Sequence, residues 1–118
     1  MADSNSIGTP QQVSLAAVTA NGNGTAVPLW RDAVQVSVNT FSTGSPTGAN
    51  VTLDFSFDGG TTFFALSPAL TLTPTTTLRQ VGQVDIPSGA THVRAVLATL
   101  TAGTSPTITA NISFRARA

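Results

Sequence analysis

Hydrophobic and polar residues alternate one for one along three stretches of this chain. Val34, Val36 and Val38 alternate with Gln35, Ser37 and Asn39; Val51, Leu53, Phe55 and Phe57 with Thr52, Asp54 and Ser56; Ile108, Ala110, Ile112 and Phe114 with Thr109, Asn111, Ser113 and Arg115. Successive side chains of a strand point to opposite faces, so each stretch predicts a strand with one buried and one polar face, the pattern of antiparallel sheets covered on one side. Weaker alternation predicts further strands at Gln12–Thr19, Thr25–Trp30, Thr62–Leu66, Ala69–Thr73, Leu78–Ile86 and His92–Leu100. Between them stand residues that favour turns: Asn21-Gly22-Asn23-Gly24, Gly44-Ser45-Pro46-Thr47-Gly48, Asp58-Gly59-Gly60, Pro87-Ser88-Gly89 and Gly103-Thr104-Ser105-Pro106.

Eight or nine short strands at this spacing imply an all-β fold, an antiparallel two-sheet β-sandwich of immunoglobulin-like or jelly-roll type. The alternation leaves the choice of strand order open. Residues 1–11 carry no periodicity, and Gly8 and Pro10 interrupt them, so they read as an extended N-terminal arm before a single domain over residues 12–118. The expected core is Val34, Val36, Val38, Val51, Leu53, Phe55, Phe57, Val84, Ile86, Val93, Leu97, Ile108, Ile112 and Phe114. Each large side chain contributes roughly 1.5–3 kcal/mol on burial, before conformational entropy is set against it.

Composition strengthens the β reading and narrows the chemistry. The 118 residues include no lysine, glutamate, cysteine or tyrosine, and only 8% are charged, against about a quarter in an average soluble domain. Good helix formers are therefore scarce, and the alanines sit among β-branched residues. Without cysteine there are no disulfides or thiolate zinc sites. Net charge is zero, so the basic surplus that nucleic-acid binding needs is missing. Arg115 and Arg117 make the C-terminal end locally basic and read as a solvated or interface end rather than a phosphate clamp. The first residues lack the basic-then-apolar pattern of a secretory signal. No apolar run is long enough to span a bilayer. The expectation is synthesis in a cytoplasm, with neither membrane nor nucleic acid as partner.

Catalysis finds little to work with. His92 is the only histidine, and no Gly-x-Ser-x-Gly elbow surrounds a serine. Asp54, Asp58 and Asp85, the mid-chain carboxylates, read as strand-face and turn residues. Asp54-Phe55-Ser56-Phe57-Asp58-Gly59 imitates the start of an EF-hand loop, but the twelfth position, which should be a bidentate glutamate, is Ala65. The expectation is a non-enzyme with no cofactor and no metal. Asn-x-Ser/Thr sequons at Asn23, Asn50 and Asn111 follow from a composition rich in asparagine and threonine.

Ser56-Phe57-Asp58-Gly59-Gly60-Thr61-Thr62-Phe63 resembles the Asp-box, a β-hairpin motif of sialidases and many unrelated β proteins. The resemblance implies that Asp58 caps the turn through backbone N–H groups, Gly60 takes a positive φ and Phe63 packs beneath, with Ser56 and Thr62 completing the hairpin. A propeller would need many copies, and there is one. Val51–Phe63, with the hairpin of His92–Leu100 and Thr107–Arg115, resembles in style the small virion proteins of tailed bacteriophages, of the decoration (cement) kind. That resemblance implies binding to a major capsid protein or other virion protein, commonly as a homotrimer, and location in the virion. Other readings are a receptor- or carbohydrate-binding module of a tail fibre, and a tail or neck component. The interface candidates are Ile7 on the arm, Leu29, Trp30 (which reads equally as a core residue) and Arg31, Phe64 (one of two adjacent rings, Phe63 and Phe64, that a strand must turn to opposite faces), and Arg115 and Arg117.

Overall fold

The structure is a computed structural model, and it describes residues 12–29, 33–65 and 80–116. Ile7, Trp30, Arg31 and Arg117, with the arm and the strand expected at Ala69–Thr73, lie outside the described residues. The described chain is all β: β1 (Gln12–Val18), β2 (Gly22–Asn23), β3 (Val27–Pro28), β4 (Ala33–Thr43), β5 (Gly48–Ser56), β6 (Phe63–Ala65), β7 (Gln80–Asp85), β8 (His92–Thr101) and β9 (Thr107–Ala116).

Two antiparallel sheets pack face to face. One has the order β1-β9-β4-β7; the other has the order β2-β8-β5-β6, with β3 also on β8. The pairs β5·β6, β4·β7, β2 and β3·β8, and β1·β9 nest inside one another like a single long folded hairpin. Rolling that hairpin brings β4 against β9 over ten residue pairs and β5 against β8. With β2 and β3 counted as one interrupted strand, this is the order of a jelly roll.

The core lies between the two central pairs. Val36 and Val38 of β4 and Ile108, Ala110, Ile112 and Phe114 of β9 face Val51, Leu53 and Phe55 of β5 and Val93, Ala95 and Leu97 of β8, all buried. Two expected core residues are not there. Val34 is 39% exposed: it lies in the irregular step between Ala33 and Gln35, at the end of the ladder. Phe57 is 44% exposed because β5 ends at Ser56, where the chain bends into the hairpin and alternation stops. Val84 and Ile86 are half-buried, as befits the edge position of β7. Asn21–Gly24, expected as a turn, instead supplies the short strand β2, and among the described residues of the strand expected at Thr25–Trp30 only Val27–Pro28 are in a strand.

One side of the sandwich is closed by Ser14. Val13 pairs with Asn111 and Leu15 with Ala110, so Ser14 is an extra residue, a β-bulge that turns inward beside Leu15. Its carbonyl accepts the Thr25 N–H at 2.8 Å, and its hydroxyl donates to the Thr25 carbonyl at 2.8 Å. The same hydroxyl accepts the Ala95 N–H at 2.9 Å, in the gap on β8 between β2 and β3. The Ala95 carbonyl takes the Gly24 N–H at 2.6 Å. A Cβ on Gly24 would fall 2.5 Å from Ser14 O and Oγ, so only glycine allows this approach. Ser14→Ala strips buried partners from Ala95 and Thr25 and is expected to cost about 1–3 kcal/mol, read as a lower midpoint in urea unfolding; an unchanged midpoint would remove the bridge from the account.

Candidate functional site

Most of the candidates from the sequence that fall on described residues gather at one end of the sandwich. There β3 leaves the sheet at Leu29, β4 starts opposite the end of β9, β5 turns into β6, and β7 turns into β8. Thr91 holds this end together. Its carbonyl accepts the Leu29 N–H at 2.9 Å, and its own N–H donates to Ser56 O at 2.7 Å. Its hydroxyl donates to Ser56 O at 3.2 Å and accepts the Gly59 N–H at 3.1 Å. Nδ1 of His92 hydrogen-bonds the same hydroxyl oxygen at 3.0 Å.

The hairpin between β5 and β6 is built on Ser56 and Asp58. Ser56 is fully buried, covered by the turn itself, with His92 and Phe63 opposite it on the neighbouring strands. Its hydroxyl donates to Asp58 Oδ1 at 2.8 Å and accepts the Gly60 N–H at 2.9 Å. Asp58 Oδ1 also accepts the N–H groups of Thr62 at 2.9 Å and Thr61 at 3.2 Å. Gly60 has φ +93°, and a Cβ there would touch the His92 ring. The Thr62 backbone N–H first, then the hydroxyls of Ser56 and Thr62 and the Thr61 N–H, hold the Asp58 carboxyl down at about 2, against an ordinary 3.8. Ser56, Asp58, Gly60 and Thr62 thus form one hydrogen-bonded cap. The Ser56 hydroxyl is engaged with Asp58, not with the histidine, so this serine is a turn residue.

The two adjacent rings part company. Phe63 lies on the outer face beside Asp54 and Arg94, whose guanidinium sits 4.0 Å over the ring centroid and bonds Asp54 Oδ2 at 3.2 Å through Nη2. Phe64 stands opposite inward-facing Phe55 but overhangs the edge and is 58% exposed. It meets exposed Phe57, with ring centroids 6.5 Å apart and planes tilted at 52°. Leu29 packs against the core margin, which makes it part of the support beneath this end. Arg115 is exposed, opposite Gln35 on the outer face of the other sheet, away from the rings.

Alternation made Phe57 a core residue and so hid its pairing with Phe64; the signal against it was its place directly before Asp58-Gly59-Gly60. Thr91 carried no signal beyond following a turn. Among the described residues no three His, Asp or Glu side chains come together as a metal site. No family model and no curated protein sequence matches the chain.

The sign of the Asp58 shift gives a pH dependence. A lowered carboxyl contributes stability that is complete above about 3.8 and is lost as pH falls through about 2. Wild type is expected to melt well above Asp58→Ala at pH 6, with the gap closing between pH 4 and 2; a gap independent of pH would contradict the cap.

Proposed function

We propose that this protein is a non-enzymatic structural protein that binds and stabilises an assembled capsid, a decoration protein of the virion whose partner is a major capsid protein or another virion protein. The observation that carries the reading is the exposed Phe57–Phe64 pair on the braced hairpin. Two large rings held on a fixed turn lose little entropy on docking, which is the character of an interface anchor. The surroundings support the same reading. Threonine, serine and asparagine dominate the polar positions, and a chain with 8% charged residues presents a surface cheaper to desolvate against protein than one rich in lysine and glutamate. Jelly rolls serve many functions, so the fold itself adds no weight. Rings tilted at 52° do not form the flat platform on which a sugar would stack, which disfavours the carbohydrate reading.

Purified protein mixed with undecorated capsids is expected to pellet with them on sedimentation, and Phe64→Ser to weaken that binding about tenfold or more while leaving the melting temperature nearly unchanged. Wild-type protein that stays in the supernatant while binding a glycan array would sink this reading.

A further inference from the structure

We propose that the outer edge of β7, which no described strand covers, is a self-association surface that pairs with β7 of a second copy across a two-fold axis, joining two four-stranded sheets into one of eight strands. The other edges are blunted. β1 is bulged twice and stitched to β8 by Ser14; β2 and β3 have two residues each, and β6 has three. β7 is six residues long, in unbroken register with β4, and holds neither proline nor lysine, the usual guards of an edge.

The ladder settles which groups are free. The Ile86 N–H donates to Val34 O at 3.0 Å. Antiparallel pairs alternate, so Val84, Gly82 and Gln80 also bond toward β4, and the backbone groups of Val81, Gln83 and Asp85 point away from the sheet. Among the described residues no strand pairs with that side.

A second copy fits this row best. An antiparallel match centred on Gln83 sets Gln83 opposite its twin and Val81 opposite Asp85 at both ends, so every outward N–H and C=O finds a partner. Asp85 is the only charge on the strand. In this arrangement the two Asp85 backbones lie four residues apart, about 14 Å, beyond the screening length at physiological salt. Val81, 60% exposed, gains cover at each end. A single pair of strands buries less than a stable interface needs, so the contact is weak in dilute solution and strengthens where copies are concentrated, as on a lattice. The inference stands independently of the capsid reading.

The chain contains no cysteine, so Gln83→Cys makes a clean probe: Cα atoms of a hydrogen-bonded pair lie about 5.5 Å apart, within disulfide reach. Oxidised Gln83→Cys is expected to give a covalent dimer in high yield, and Ser113→Cys, on the middle of the same sheet, to give little. Sedimentation equilibrium of the wild type should show mass rising from one chain toward two with concentration. Gln83→Pro, which removes an outward N–H and no β4 ladder bond, should keep the fold by circular dichroism and stay monomeric. Val81→Lys, which leaves the backbone intact, should do the same and covers the case where proline disturbs folding. A wild type that stays monomeric at high concentration, a dimer that survives in both folded variants, or a Gln83→Cys that fails to cross-link would each overturn the proposal.

Discussion

A single serine hydroxyl decides how the two sheets meet. Sandwich sheets are held mainly by non-directional burial between their inner faces, and that alone does not fix how one edge sits over the other. Ser14 supplies direction. Turned inward by the bulge in β1, it takes the Ala95 N–H that the interrupted β2–β3 edge leaves unmatched, and gives its own proton to Thr25. Loss of this bridge would leave polar backbone stranded inside a boundary lined by Leu15, Ala95 and Leu97. Closure on this side leaves β7, on the opposite side, as the long edge that no described strand covers.

The same economy shapes the hairpin end. A chain without lysine, glutamate or cysteine has few strong cross-links to draw on, and hydroxyls do that work: Ser56 and Thr91 each join several backbone groups, and Asp58 gathers the turn under one carboxylate oxygen. Threonine and serine, which in the composition look like mere solubilising residues, are internal fasteners here. The brace also has an outward consequence. It fixes Phe57 and Phe64 in the open, while Arg94 is taken up by Asp54 and the Phe63 ring. The functional proposals thus rest on parts that the fold itself must hold rigid.

Where period-two alternation and burial on one face coincide, the sequence was a faithful guide. β4, β5 and β9 are such strands, and their inward residues from Val36 to Phe114 form the core. The guide failed where alternation is broken by geometry rather than composition. Nothing in Val13-Ser14-Leu15 announces that two neighbours face inward, because a bulge depends on what lies across the gap. Gly22–Asn23 has turn chemistry, yet the edge of β8 recruits it as a strand. The acceptor and the glycine of the Asp-box pattern were legible because their roles are local, whereas Phe63, expected beneath the turn, lies on the outer face under Arg94. Phe57 was misplaced because a strand pattern does not reveal the residue at which the strand stops. The edge position of β7 among the described strands had no sequence signal, since edges are defined by topology.

Residue-resolved hydrogen exchange on dilute protein tests the central claim, that the sandwich is closed at Ser14 and open at β7. The account predicts that the Ala95 and Thr25 amides exchange as slowly as those of the buried strands, through global unfolding alone, while the Val81, Gln83 and Asp85 amides exchange near the rate of unbonded backbone. A fast Ala95 amide, or protected Val81 and Gln83 amides in the dilute monomer, would contradict it.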